Sequence, residues 1–156
     1  MEVIEVADAC AGDSDVYDPR FTKAPEPLPN NVHIKRQSLL DYGDQVSTWK
    51  FTDLMLHELD ICECLAKHPH PNVAKYLERL VEDGRMTALC FRRYARTLQE
   101  TVSSSEQVDT QACPRGIQEG IKHLHQLGLV HNDLNPSNVM MHSHGSNPVI
   151  IDFDSC

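Results

Sequence analysis

An α+β fold is what this sequence predicts, and three observations predict it. Residues 76–81 and 85–94 read as two strands joined by Glu82-Asp83-Gly84, a hairpin with a turn-forming Asp-Gly. Two stretches, 52–65 and 114–128, carry apolar residues at helical spacing. From residue 129 to 154, three short apolar runs alternate with polar loops that hold carboxylates and amides. The chain has 156 residues, enough for one core domain, or for one lobe and part of another.

Composition is that of a globular protein, 40% apolar and 24% charged. A net charge of −9 argues against nucleic acid and against anionic membrane surfaces as general partners. No apolar run approaches the ~20 residues that a membrane helix needs. The sequence opens Met1-Glu2-Val3-Ile4-Glu5, acidic and without a signal-peptide pattern, so cytoplasm or nucleus is the expected compartment. The six cysteines, at 10, 62, 64, 90, 113 and 156, include no Cys-x-x-Cys pair, as expected of free thiols in a reducing compartment. Cys62, Cys64, His68 and His70 raise the question of zinc. Cys62 and Cys64 fall in a helical pattern, however, where positions i and i+2 point to different faces.

In chain order, residues 1–30 carry seven acidic side chains against Arg20 and Lys23, with prolines at 19, 25, 27 and 29. Such a segment buries little apolar surface and is expected to be disordered or loosely attached. Val32-His33-Ile34-Lys35 alternates as a half-buried strand does. From Thr52 the pattern is helical: Thr52 caps, Asp53 complements the helix N-terminus, and Met55, Leu59 and Cys62 share a face, with Ile61 and Leu65 adjacent. The hairpin strands follow. Thr101–Thr110 is a polar connector with no periodicity. Pro114 then suits a first helical turn, Ile117, Ile121 and Leu124 form a stripe, and Gly128 stops the helix.

The runs Leu129-Val130, Val139-Met140-Met141 and Val149-Ile150-Ile151 read as buried strands. If they pair, Asp133, Asn138 and Asp152 converge at one end of a small sheet. Two carboxylates and an amide are all oxygen donors, a set that suits Mg²⁺ sharing its shell with phosphates. That is the chemistry of phosphoryl transfer.

His131-Asn132-Asp133-Leu134-Asn135-Pro136-Ser137-Asn138 resembles the protein-kinase catalytic loop H-R-D-L-x-x-x-N, and Asp152-Phe153-Asp154 resembles D-F-G. By that resemblance Asp133 would accept the proton of a substrate hydroxyl, and Asn138 and Asp152 would hold Mg²⁺ on the ATP phosphates. Val32-His33-Ile34-Lys35 resembles the V-A-I-K strand, which makes Lys35 the nucleotide lysine. Helix 52–65 then corresponds to the family's helix αC, with Glu58 (or Glu63) as the partner of Lys35. His70-Pro71-Asn72-Val73 matches the H-P-N-I turn that follows this helix, and Cys90–Tyr94 would be the hinge that adenine contacts. Gly120–His131 resembles the helix that runs into the catalytic loop, with His125 packed rather than catalytic.

Some positions depart from the family pattern. Asn132 replaces the arginine that commonly pairs with a phosphorylated activation loop. Asn135 replaces a lysine near the transferring phosphate. Asp154 replaces the glycine of D-F-G, and residues 1–30 contain no Gly-rich phosphate loop.

The resemblance covers roughly residues 30–156 and the first half to two-thirds of such a domain. The implied fold is protein-kinase-like: a small N-lobe antiparallel sheet with helix αC, about 31–94, plus the first part of the helical C-lobe, about 111–156. The implied function is transfer of the ATP γ-phosphate to a Ser or Thr hydroxyl of a protein substrate. A small-molecule kinase of the choline or aminoglycoside type and a non-catalytic binding module stay open. The C-lobe surface that the family's helices beyond Asp154 would cover is expected to be apolar, so a protein partner covering the incomplete C-lobe is also expected.

Overall fold

The computed structural model describes residues 31–36, 48–82, 85–142 and 147–156. The acidic segment 1–30, the Asp83-Gly84 turn and most of the turn before Pro148 lie outside these residues.

Two three-stranded antiparallel sheets and three α-helices make up the described chain. β1 (Val32–Lys35), β2 (Tyr76–Glu82) and β3 (Arg85–Arg92) form one sheet in the order β1-β3-β2, with Lys35 opposite Leu89 and Ile34 opposite Cys90. Two register shifts in β2, at Tyr76/Glu78 and Leu80/Val81, bend the hairpin. α1 (Thr48–Lys67) packs against this sheet, burying Met55, Leu59, Cys62 and Leu65 along one stripe. The helix begins four residues before the expected start, so Thr52 and Asp53 lie within it and are not its cap.

The second sheet departs from expectation. Its members are β4 (Arg96–Thr97), β5 (Val139–Met141) and β6 (Pro148–Ile150), in that order. Leu129-Val130 is not a strand. After α3 (Ala112–Gln126), Gly128 takes φ +78°, its N–H donates to His125 O, and Leu129 N donates to Leu124 O. This pair of bonds spends the Leu129 N–H on closing the helix end, with Leu129 packed against the core that includes Leu124. Arg96-Thr97 takes the place beside β5 instead, Thr97 opposite Met140.

A helix, α2 (Leu98–Ser103), runs into the first three residues of the stretch 101–110 that was expected to be a polar connector. Thr97 Oγ1 accepts from Glu100 N, and the Glu100 carboxylate accepts from Thr97 N, a reciprocal capping box. Six residues are too few to show a period, but the Thr-x-x-Glu signal was present in the sequence.

One junction ties the two halves together. Val73 forms a parallel bridge to Ile150, Ala74 N donates to Ile150 O, and Ile150 N donates to Asn72 O. The Asn72 amide reaches Pro148 O at 2.8 Å. α3 lies so close to this crossing that a Cβ on Gly120 would sit 2.8 Å from Ile150 Cδ1 and 2.9 Å from Asn72 O. Around it runs a continuous core from Leu59 and Cys62 through Val73, Leu124, Val149 and Ile150 to Phe153. No helix among the described residues is long and apolar enough to cross a membrane.

Candidate functional site

Lys35 ends β1 with its ammonium between two carboxylates. Its Nζ lies 2.6 Å from Glu58 Oε1 and 2.5 Å from Asp152 Oδ1. Glu58 comes from the buried face of α1 and is fully enclosed, while Asp152 follows β6. Burial alone would lower the lysine's pKa, but the two carboxylates outweigh it and hold Lys35 well above its ordinary value. At Glu58 burial wins over the attraction of Lys35 and pushes the carboxyl up. The first shift keeps the proton on the lysine; the second works the other way, so the charge on Glu58 depends on the neighbouring ammonium. Glu63, the alternative partner, accepts instead from Tyr76 Oη at 3.2 Å.

Beside Lys35 and Asp152 opens a cavity of about 260 Å³. Its walls are mostly apolar, with Ala74, Phe91, Met140 and Ile151 prominent, and Phe91–Tyr94 run along one side. The Arg93 guanidinium holds that side in place by donating twice to Val32 O, at 3.2 and 3.0 Å. Sequence reasoning placed Arg93 in the hinge segment but gave it no role; its contact spans 61 residues.

The loop 131–138 is built on its own amides. Asn138 Nδ2 donates to Asp133 O at 2.9 Å and to Asp133 Oδ2 at 3.0 Å. Asn135 Nδ2 donates to Asp133 O and Oδ1, while its own Oδ1 accepts from Ser137 N and caps the 3-10 turn Pro136–Asn138. Asp133 itself is exposed. Antiparallel pairing of β5 with β6 sets Val139 opposite Ile150, and Ile151 N donates to Asn138 O. Asn138 and Asp152 therefore flank the same end of the second sheet. Of the named residues, Lys35, Glu58 and Asp152 meet directly, Asp133 and Asn138 meet directly, and this pairing links the two groups.

Two non-glycine residues here hold left-handed backbone, Asn132 at φ 56° and Asp152 at φ 69°. Asn and Asp tolerate that region better than other side-chain-bearing residues, and such conformations concentrate at functional sites. The residues considered for zinc have other roles. Cys62 lies in the core, His68 Nδ1 contacts Cys64 O, and His70 stacks on His123 with ring centroids 4.8 Å apart. His125, expected to be packed, is exposed; His123 is the helix histidine that makes contacts, its Nε2 donating to His68 O.

A family model described as the protein kinase domain matches residues 40–156, a span that begins just after Lys35. The chain is 29% identical over 121 residues to the MAP kinase kinase kinase SSK2 of Saccharomyces cerevisiae, covering 74% of this chain and 7% of that protein. It is 27% identical over 107 residues to the serine/threonine-protein kinase shk2 of Schizosaccharomyces pombe, covering 67% of this chain and 18% of that one. Among solved structures, a chain of the yeast RNA Pol II CTD kinase CTDK-1 complex superposes with TM-score 0.54 at 21% identity. That match covers 79% of this chain and 38% of the other. The chain thus spans less than a fifth of the length of these curated relatives.

Proposed function

The chain belongs to the protein kinase domain family, and from that premise we propose that its cleft binds Mg-ATP and directs the γ-phosphate to a protein Ser or Thr hydroxyl. The observation that carries this reading is the Glu58–Lys35–Asp152 contact at the mouth of an apolar cavity. The cavity takes the base, with the Phe91–Tyr94 backbone as its hinge. Lys35, oriented by Glu58, meets the phosphates. Asp133 is the base for the acceptor hydroxyl, and its two amide neighbours fix its carboxylate in direction.

The residues fit a Mg²⁺ ion. Asn138 spends its amide nitrogen on Asp133, which turns its side-chain oxygen away from that residue, and Asp152 offers a part-exposed carboxylate. Both are hard oxygen donors. When bound, the metal supplies charge neutralisation between phosphate oxygens.

The test combines binding with transfer. Mg-ATP should raise the melting temperature, ATP with chelator should not, and Asp152→Ala should lose the shift, because ligand binding to the native state adds stability. Asp133→Ala should keep the shift and cut transfer to a protein substrate by about 10²- to 10⁴-fold. An equal shift with chelator present would remove Asp152 as metal anchor, and unchanged transfer by Asp133→Ala would remove the base. Transfer to amino-alcohols but not to protein would reassign the acceptor.

A second reading, nucleotide binding without transfer, is favoured by one observation. Where the family carries a lysine beside the transferring phosphate, Asn135 brings no charge and donates to Asp133 instead. A Mg-ATP shift with no detectable transfer would select it.

A further inference from the structure

The geometry points to Asn132 as a positioning residue that holds the turn after Asp152 in register with Asp133. This rests on the proposed nucleotide site and adds a part to it. Asn132 Nδ2 donates to Ser155 O at 2.7 Å, across 23 residues of sequence. The residue before it, His131, donates through Nε2 to Ile151 O at 2.8 Å and sets its ring edge-on to Phe153. Two consecutive side chains therefore grip the carbonyls of residues 151 and 155, on either side of Asp152. The next residue in the gripping segment is Asp133.

His131 is buried and packs against the core, whereas Asn132 is exposed and has no apolar surface to justify its place. It adopts φ 56°, a region costly for most side chains but tolerated by Asn, and this is the backbone shape from which its amide reaches Ser155. Asp152, just ahead of the turn it holds, also has left-handed backbone, at φ 69°. Within the turn Cys156 N donates to Phe153 O, and Ser155 Oγ donates to Asp154 Oδ1. The Asn132 bond joins that local turn to the loop. A neutral amide on a main-chain carbonyl needs no phosphate to form, so this hold on the segment after Asp152 is independent of phosphorylation.

Two substitutions separate the donor from the backbone. Asn132→Gly keeps the left-handed conformation and removes the side chain; Asn132→Asp keeps size and tolerance of that conformation and removes the donor. Hydrogen exchange of the ligand-free chain is the primary readout. Both variants should speed exchange at Cys156 by about 2- to 10-fold, the range expected for one lost hydrogen bond, while helix α3 keeps its protection. Asn132→Gln, which retains an amide donor, should recover part of the protection.

The Mg²⁺ concentration needed for half the Mg-ATP thermal shift should rise in the Gly and Asp variants by more than their ligand-free melting temperatures explain. Unchanged exchange at Cys156 in both variants overturns the inference. So does faster exchange with an unaltered Mg²⁺ requirement, because the turn would then not position Asp152. If the unsubstituted chain itself shows no Mg-ATP shift, the nucleotide reading fails, and the hold of Asn132 on the turn is decided by exchange alone.

Discussion

Replacing Lys35 by methionine takes the shared cation from between Glu58 and Asp152. One nitrogen within hydrogen-bond reach of both carboxylates puts their nearest oxygens no more than about 5 Å apart. At an effective dielectric near 20, like charges at about 5 Å repel by about 3 kcal/mol. Breaking a buried ion pair from one side typically costs about 3–5 kcal/mol, because the remaining charge loses its counter-ion. The two figures describe overlapping parts of one event. Lys35 and Asp152 keep 24% and 32% of their side-chain surface exposed, so water screens some of it. The expected loss at neutral pH is about 3 kcal/mol, which for a chain of this size lowers the melting temperature by about 6–12 °C.

The pH dependence distinguishes this cause from a simple packing defect. Glu58 already has a raised folded-state pKa, and losing Lys35 raises it further. A raised carboxyl means that the folded state binds its proton more tightly than the unfolded chain does. The deficit of Lys35→Met is therefore largest above the folded value and shrinks as pH falls through it toward the unfolded value of about 4.3. For Lys35 in the unaltered chain, the stabilisation is complete below the unfolded lysine value of about 10.4 and is lost only as pH rises through its raised folded value. Urea unfolding near neutrality and about two pH units lower, on the parent, Lys35→Met and Lys35→Met with Glu58→Gln, measures this. The single variant should recover at the lower pH, and the double variant should recover at both. An equal deficit at both pH values, with no rescue by Glu58→Gln, would refute the electrostatic argument.

Other substitutions test the junction and the core. Gly120→Ala should destabilise by about 1–3 kcal/mol despite a better helix propensity, because its Cβ meets Ile150 Cδ1 and the Asn72 carbonyl below 3.0 Å; a shift of the urea midpoint measures it. Phe153→Ala, which empties a fully buried position, should cost about 3–5 kcal/mol in the same assay and weaken the Mg-ATP shift. Burial, then His123, holds His70 below its ordinary value against the pull of Glu119, and its Nδ1 accepts from Asn72 N. A lowered folded value means stability is complete above about 6.5 and falls as pH drops through the folded value, so His70→Gln should flatten the acid side of the melting-temperature profile.

The fold was legible where signals are local and repeated. Met55, Leu59, Cys62 and Leu65 recur at helical intervals, and Gly128 closes α3 with the left-handed turn its type favours. It failed where a short element depends on a distant partner. Arg96-Thr97 has no strand pattern of its own and becomes one only because β5 offers a free edge. Leu129-Val130 looked like a strand because apolarity does not say where an N–H is spent; here the Leu129 N–H closes a helix and Val130 faces solvent.

The site divides along the same line. Asp133, Asn138 and Asp152 stood out because their spacing sits in a motif eight residues long with a second motif close behind. Nothing in the sequence announces that Arg93 grips Val32 O or that Asn132 grips Ser155 O, since a main-chain carbonyl is identical at every residue and leaves no mark on the side-chain string. Asn132 was visible only as a lost arginine. What replaced the lost contact could be read only with both chain segments in place, because the left-handed backbone at Asn132 and the turn at Ser155 are each permitted by local chemistry but joined by tertiary structure. Residues that touch a ligand are constrained in type and so can be found by motif. Residues that hold those residues to the main chain are constrained in reach, and reach is a property of the fold.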